Sequence, residues 1–354
     1  MNEIKLNETP IRTSRNFNIN NIKLKDLEIP SNVGKFNAVT INSDCTKILV
    51  DNNTSDFSLK YGVSAKLTKQ IKNNANQKIR VTIDSKMNKE IVIEFKFDKT
   101  NKTLVDNIEI VANENSKATV IVKYDFEEIE EYYHNGIIRL IAKKNSNINV
   151  IITNFMNSIS DNFLSIQNTL EDGAKAKYII VDFGGKNSIT NYYSSIDGEE
   201  AENILNTVYL GKENQVFDLN YIAELKGKKS NIDIDVQGAL KDFAKKHFKG
   251  TIDFKKGCKK AKGNENEFCM LLSDTAKSLA LPMLLCSEED VEGNHSSSAG
   301  KIGEKELFYI MSRGFEKKEA MKLMVRARFN NIIEKIKNED LKNEILEEID
   351  KRLD

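Results

Sequence analysis

Residues 136–155, GIIRLIAKKNSNINVIITNF, show the pattern that decides the fold: two apolar runs joined by a short polar turn. The runs are rich in Ile and Val, which favour strands, and the turn is built from Lys, Asn and Ser. Similar units follow one another from about Asn107 to Cys286, resembling each other in outline more than in sequence, which is typical of repeat architectures. The further units are residues 107–126, 163–184, 204–225, 231–254 and 267–286.

Three folds accommodate such a series: a stacked parallel β-helix, an antiparallel sandwich, and several small β domains. Two-residue Asn-Gly turns are nearly absent between the runs, and proline occurs only at positions 10, 30 and 282. Little in the sequence therefore forces antiparallel pairing, which modestly favours the parallel β-helix.

The first hundred residues are rich in Asn and Lys and begin with a loop-like segment. Short alternating runs at 47–50, 79–83 and 90–97 predict strands, and a helix is expected near Ser64 to Asn74. We predict that this region caps the stack of strands, because an open end would expose unpaired backbone and apolar side chains to water.

Beyond the repeats, the pattern changes from strands to helices. Acidic residues and small residues from Glu288 to Gly300 indicate an irregular loop. A helix is predicted from about Glu304 to Arg313, ended by Gly314. Two amphipathic helices, joined by a turn at 338–340, are predicted to bury these apolar residues: Ala320, Leu323, Met324, Ala327, Ile332, Ile333, Ile336, Leu341, Ile345, Ile349 and Leu353.

These patterns divide the chain into three parts: an N-terminal cap over 1–100, a β-helix core over 101–300 and a helical domain over 301–354. Its 354 residues, 40% hydrophobic and 30% charged, suit a globular protein with a large core. Lys+Arg and Asp+Glu both number 53, so no net charge favours nucleic acid or an anionic membrane as a partner.

The sequence also bears on compartment and chemistry. The N-terminus lacks the apolar core of a signal peptide, and four scattered cysteines without a CxxC pair suit a reducing cytosol, so we expect a cytoplasmic protein. No P-loop, G-x-S-x-G or H-E-x-x-H motif is present, so we expect no direct nucleotide binding and no enzyme activity. A β-helix enzyme acting on polysaccharide remains an alternative, although it would need a cleft of paired carboxylates.

His295 is the first candidate for chemistry. A neutral imidazole can bind iron, and the nearby carboxylates of Glu289 and Glu292 can supply oxygen ligands or orienting hydrogen bonds. An exposed loop histidine without any ligand is the alternative. The tyrosines and histidine of 132–134 and the pair 192–193 are expected to be rungs or edges of the stack rather than sites.

The cysteines are weaker candidates. Cys269 and Cys286 are flanked by apolar residues and are expected to be buried, although at an interface their thiolates would be soft ligands for a cluster. Cys258, among lysines in FKKGCKKAKG, is expected to be an exposed thiol whose pKa those lysines lower. Cys45 is expected to be structural.

The segment EEDVEGNHSSSAGKIGEKELFYIMSRGFEKKEAMKLMV, residues 288–325, resembles the C-terminal signature of the SufB/SufD family of iron-sulfur cluster assembly proteins, and of SufD most. Weaker likeness extends through the repeats and the TPIRTSRNF stretch at 9–17. Gly293 stands where many relatives have Cys, with Asn294 and Ser296 on either side of the histidine. The shared residues are Asp290, Val291, His295, Gly300, Lys301, Ile302, Leu307, Phe308, Tyr309, Ser312, Arg313 and Gly314.

The resemblance implies a right-handed parallel β-helix, mainly β, with a C-terminal α-helical domain. It implies a SufD-like scaffold that pairs with a SufB-like subunit, where His295 meets transient iron or a nascent iron-sulfur cluster, and sulfur arrives from a cysteine desulfurase through SufB. It also implies that the C-terminal helices dock the SufC ATPase, with these contact residues: Leu307, Phe308, Tyr309, Arg313, Met321 and Met324. A purely structural interaction subunit without metal ligation is the alternative, and Gly293 in place of the thiol favours it.

Overall fold

The computed structural model describes residues 3–13, 19–43, 48–84 and 86–354. Its strands form two nine-stranded sheets, between which the chain alternates as in a parallel β-solenoid, and a separate two-stranded antiparallel sheet near the N-terminus. The predicted mainly β fold with a β-helix core and C-terminal helices is confirmed. Cys45 and residues 14–17 of the TPIRTSRNF stretch lie outside the described residues.

The described residues among the first hundred form six strands and one helix. Their bounds are β1 (Glu3–Leu6), β2 (Ile22–Lys25), β3 (Val39–Ser43), β4 (Ile48–Asp51), α1 (Ala65–Asn74), β5 (Gln77–Ile83) and β6 (Lys86–Phe97). The α1 helix begins where predicted, because the side chain of Ser64 accepts a hydrogen bond from the Leu67 N–H. At the start of the two sheets β3 pairs antiparallel with β6, and β4 pairs antiparallel with β5. Strands β5 and β6 are also the first members of the parallel ladders.

The remaining strands continue the two parallel ladders. They are β7 (Thr103–Ala112), β8 (Lys117–Phe126), β9 (Tyr133–Ala142), β10 (Asn147–Asn154), β11 (Asp161–Leu170), β12 (Lys175–Asp182), β13 (Asn187–Ile196), β14 (Glu202–Gly211), β15 (Val216–Leu225), β16 (Asn231–Leu240), β17 (Lys245–Phe254), β18 (Ala261–Leu271), β19 (Lys277–Cys286) and β20 (Val291–Lys301). We call the sheet that ends in β20 the even sheet and the sheet that ends in β19 the odd sheet.

Alternating side chains of both sheets fill the space between them. In the even sheet the buried ladder Val120, Val150, Tyr178, Leu205 and Ile234 runs through five successive strands in register. Each rung places a large apolar side chain on the one below, which buries both and stabilises the stack. This is why the apolar runs recur once per turn of the chain.

The turns between rungs stack as well. Asn115, Asn145 and Gly173 adopt positive φ, and each donates its N–H to a carbonyl of the next turn, at 2.9–3.0 Å. Asn and Gly tolerate this left-handed conformation, which explains the turn composition of the repeats. Glu200 and Lys229 occupy the same position in later turns. The same hydrogen bond to the next turn offsets the higher cost of a positive φ for these residues.

A chain of hydrogen-bonded polar side chains crosses the interior of the solenoid. His134 lies 2.7 Å from Asp106 through Nε2 and 2.5 Å from Asn162 through Nδ1. Asn162 donates to the Ser188 hydroxyl at 2.9 Å, and Ser188 donates to Asp182 at 2.7 Å. All five side chains are buried, so they are rungs of the stack, as expected for His134.

Asp182 gives this polar chain a pH dependence. Its burial raises its pKa to about 6, although Ser188, Asn154 and Arg352 favour the carboxylate. Because the folded pKa exceeds the unfolded one, the folded state gains stability below pH 4 and loses it as the pH rises through 6. We expect the wild type to lose up to about 3 kcal/mol more than Asp182→Asn between pH 4 and 7. Urea unfolding at several pH values measures this, and parallel curves for both proteins would contradict it.

Three helices follow the solenoid: α2 (Glu304–Ser312), α3 (Lys317–Ile333) and α4 (Glu339–Leu353). The predicted bounds hold, with Gly314 at positive φ after α2 and Asn338 capping α4. The stripe on α3 differs from the prediction, because Leu323 and Ala327 are exposed, whereas Val325 and Phe329 are buried against the even sheet. In the described part of the chain, no helix is both long and apolar enough to span a membrane.

Arg352 fastens α4 to the solenoid. Its Nη2 donates to the carbonyl oxygens of Phe155 at 2.8 Å and Met156 at 3.3 Å, and its Nη1 donates to the carbonyl of Phe183. The guanidinium is buried, so these carbonyls have no access to water as a replacement partner. The helical domain is thereby held in one position on the outer face of the even sheet.

Replacing Arg352 with methionine should lower the free energy of unfolding by about 2–4 kcal/mol, because the buried carbonyls lose their donor. Lys351, its neighbour, is exposed and pairs only with Glu348, so Lys351→Met should cost under about 1 kcal/mol. Chemical denaturation of both variants measures the difference. Equal losses would show that Arg352 does not hold the helix.

Candidate functional site

The last rung of the solenoid consists of β19 and β20, and most of its residues are exposed. The prediction of an irregular loop over 288–300 is wrong from residue 291 onward, because residues 291–301 form a strand that pairs in parallel with β18 from Ala261 to Leu271. Gly, Ser and Ala have low strand propensity, but a preformed edge offers each of them backbone hydrogen bonds. Pairing with β18 therefore outweighs the low strand propensity of these residues.

His295 lies on the side of β20 that faces the interior of the solenoid. On that side Gly293 lies close to Phe254, since a Cβ added at Gly293 would be 3.0 Å from the Phe254 ring. On the same side the Ser297 hydroxyl donates a hydrogen bond to Glu267 at 2.6 Å. His295 lies between these two residues on the same face, in register with Glu265. It is nevertheless exposed, because no further rung covers it within the described structure.

A buried ion pair lies directly beneath this rung. Lys246 from the odd sheet donates to Glu267 Oε1 at 2.6 Å, and the Tyr209 hydroxyl donates to the same oxygen at 3.3 Å. Together with Ser297, these contacts anchor β20 to the interior. Cys269 is the next interior residue of β18, and burial raises the pKa of its thiol despite the nearby Lys246.

Glu265 is the unusual residue of this cluster. Its side chain is buried, yet neither carboxyl oxygen has a hydrogen-bond partner. Burial, with a smaller contribution from Glu267, raises its pKa to about 8. The carboxyl group lies against Gly250 on the odd sheet, where an added Cβ would be only 2.1 Å from Oε2.

Sequence reasoning missed Glu265, Glu267 and Lys246. A signal exists in GNENEF, where acidic residues alternate with Asn instead of the usual apolar residues. Their interior position becomes visible only with the register, which places Glu265 beside Ile234 and Glu267 beside Val236 of the preceding rung.

Two expectations for the cysteines are wrong. Cys258 is buried, and burial raises the pKa of its thiol, because the turn folds the side chain inward and away from the lysines. Cys286 is exposed at the end of β19, where its thiol donates to the Glu288 carbonyl at 2.9 Å. Cys269 is buried as expected.

The predicted acidic ligands do not gather around His295. Glu292 lies on the opposite face of β20 and pairs with Lys262 at 3.0 Å, and Glu289 precedes the strand. Among residues 3–13, 19–43, 48–84 and 86–354, no group of three or more His, Cys, Asp and Glu side chains is arranged to hold a metal ion. Metal ligation by His295 with Glu289 and Glu292 stays a prediction.

The helices carry an exposed apolar patch. Phe308 is 74% exposed and Tyr309 is 58% exposed, and Phe315 and Met311 add to the same surface segment. Arg313 stacks on the Tyr309 ring, 5.2 Å from its centroid, and donates to its hydroxyl at 3.0 Å. The other predicted docking residues are partly buried, namely Leu307, Met321 and Met324. Met324 also packs against the apolar core between the helices and the even sheet.

The chain is therefore a parallel β-solenoid with an exposed histidine above a buried polar cluster at its last described rung, and with an exposed apolar patch on its helices. Residues 95–328 match the family model described as "SUF system FeS cluster assembly, SufBD core domain". The chain belongs to this family, so the resemblance seen in the sequence is confirmed.

The curated relatives are distant. The chain is 22% identical to the iron-sulfur cluster assembly protein SufD of Bacillus subtilis (strain 168), over 72% of this chain and 59% of that protein. It is 27% identical to a SufBD family protein of Archaeoglobus fulgidus, over 64% of this chain and 61% of that protein. SufD of Escherichia coli (strain K12) is 23% identical, over 68% of this chain and 57% of that protein. The matches span about three fifths of the length of each relative.

Proposed function

We propose that this chain is a non-enzymatic, SufD-like scaffold subunit of the SUF machinery, which takes part in iron-sulfur cluster assembly through His295. The observation that carries the proposal is the position of His295, exposed on the interior-facing side of an uncovered end rung. The family match and the SufD relatives supply the process in which such a site would act.

Pairing with a SufB-like subunit through the end rung is the first part of the proposal. Among the described residues, β20 is the outermost strand of the even sheet and β19 is the outermost strand of the odd sheet, so each has one edge that no described strand covers. Exposed edges of parallel sheets are normally covered, because their N–H and C=O groups otherwise offer a template for unspecific pairing. A partner seated here would enclose His295 and exclude water from it.

Docking of the SufC ATPase is the second part. The patch formed by Phe308, Tyr309, Met311 and Phe315 is unusual for an exposed surface, and aromatic residues with an arginine are typical of interface centres. Arg352 ties the helices to the solenoid, so movement of a bound ATPase would be transmitted to the sheets.

Iron or a nascent cluster would be cargo at the interface and not a permanent component. A histidine nitrogen suits ferrous iron, and the missing ligands would come from the partner, from sulfide or from water. Sulfur would reach the site from a cysteine desulfurase through the SufB-like subunit. Because Gly293 replaces the thiol common in relatives, β20 of this chain contributes an imidazole and no sulfur ligand.

Anaerobic co-purification with the candidate SufB-like and SufC subunits tests the proposal, followed by reconstitution with iron and sulfide. His295→Ala should leave the complex intact and reduce bound iron at least about tenfold, because a first ligand is lost. His247→Ala is the matched control, since His247 lies on the outer face of the odd sheet near Asp218. Equal cluster content in wild type and His295→Ala would refute iron ligation.

A purely structural interaction subunit is the second candidate. Gly293 in place of a thiol favours it. This candidate predicts that the complex forms normally and that neither histidine variant changes its iron content.

A further inference from the structure

Glu265 and Glu267 lie two residues apart on the same face of β18, yet their surroundings differ. Glu267 accepts hydrogen bonds from Lys246, Tyr209 and Ser297, which is enough to offset its burial. Glu265 is equally buried and accepts none. An unpartnered buried carboxyl group is costly and calls for an explanation beyond packing.

The carboxyl group of Glu265 lies one rung beneath the open end of the solenoid. His295 is its register partner in β20, with the strands separated by the usual spacing of about 4.8 Å, and both side chains lie on the interior face. The exposed last rung is therefore the only layer between Glu265 and the end surface. Gly250 has no side chain, and the Glu265 carboxyl group occupies the space that a side chain there would fill. In the odd sheet, Gly250 pairs with Pro282 of the last rung.

We infer that Glu265 is a further ligand for ferrous iron, which enters from the open end and binds between its carboxylate and the imidazole of His295. This inference rests on the proposed function. Imidazole and carboxylate together suit ferrous iron, and the two residues supply half of a site that a partner, sulfide or water completes. The incomplete set agrees with the lack of a three-ligand group within the described ranges.

Ligation also accounts for the difference between the two glutamates. Glu267 is held by a lysine, a tyrosine and a serine, so its carboxylate anchors the strand. The Glu265 carboxyl group accepts no hydrogen bond within the protein, so no such bond is broken when it binds a metal ion. The cost of its burial in the free chain is then recovered on binding, as for other groups held ready for a ligand.

The test measures ferrous iron binding by anaerobic equilibrium dialysis, with the full chain alone and in its complex with the SufB-like subunit. The variants are Glu265→Gln, which keeps the shape and removes the charge, Glu265→Asp, which keeps the charge, and His295→Ala. Glu199→Gln is the matched control, because Glu199 is an exposed carboxylate in a turn of the solenoid that pairs with Lys229 at 3.7 Å. Thermal unfolding of each variant reports on folding independently of iron.

We expect Glu265→Gln to weaken iron binding at least about tenfold without lowering the unfolding temperature, since it removes an unpartnered carboxyl group. Glu265→Asp should bind more tightly than Glu265→Gln, and Glu199→Gln should equal the wild type. The visible spectrum of bound Co²⁺, a probe of ligand number, should change in Glu265→Gln.

Other results separate the two proposals. If His295→Ala loses iron and Glu265→Gln retains it, the ligand role of Glu265 is overturned and the proposed function stands. If the wild type binds no iron in either form, both are overturned. If Glu265→Gln loses stability together with iron, the Glu265→Asp variant decides. A wild-type unfolding temperature with wild-type iron affinity would support Glu265 as a ligand. A wild-type unfolding temperature with lost iron affinity would overturn that role.

Discussion

Replacing Lys246 with methionine should lower the free energy of unfolding by about 3–5 kcal/mol. The ammonium group is fully buried and lies 2.6 Å from Glu267, whose carboxylate would be left without its counter-charge one rung beneath the open end. The Tyr209 and Ser297 hydroxyls would remain as donors, but they cannot neutralise a buried charge. Urea denaturation followed by circular dichroism measures the loss.

Lys245 provides the control for this prediction. It precedes Lys246 on β17 but points to solvent, so Lys245→Met should change stability by no more than about 0.5 kcal/mol. The double variant Lys246→Met with Glu267→Leu should recover much of the loss, because an apolar pair replaces the ion pair. A single variant as stable as the wild type would mean that the pair is not formed in the folded protein.

Replacing Gly227 with alanine should cost more than about 4 kcal/mol or prevent soluble expression. An added Cβ would lie 1.7 Å from the Gly198 carbonyl oxygen, so backbone and not a flexible side chain would have to move. Gly198 in turn lies against the previous turn, since its own Cβ would be 2.1 Å from the Glu171 carbonyl carbon. The strain would therefore pass through the stacked turns.

Gly34→Ala is the matched control, because apart from the adjacent residues no atom of the described structure lies within 4 Å of the Cβ it adds. We expect it to be neutral or slightly stabilising, since alanine reduces the freedom of the unfolded chain. Expression yield and the midpoint of thermal unfolding measure both variants. Similar midpoints for Gly227→Ala and Gly34→Ala would show that the turns of the solenoid are not closely stacked.

Much of the architecture was predictable from sequence. Apolar runs separated by Asn, Gly and Lys turns predicted the repeats, because each rung needs the same strand residues and each turn needs a residue that tolerates positive φ. Ser64, Gly314 and Asn338 marked helix ends correctly, since capping depends on local hydrogen bonds.

The candidate site was predicted less completely. His295 was identified by its resemblance to a family motif, and no pattern in the residues alone separated it from an ordinary exposed histidine. Glu265 and Lys246 escaped notice because a lone charged residue in a strand is normally on the solvent side. Only the pairing of β18 with β16 and of β17 with β15 places them in the interior.

By itself, the sequence determined the repeating strand, the turns and the helical end, because these depend on interactions between residues close in the chain. The tertiary structure alone decided that residues 291–301 form a strand, that Cys258 is buried, and that Glu265 lies beneath His295. Each of these depends on register between rungs roughly thirty residues apart, where a shift of one residue would exchange the interior and exterior faces.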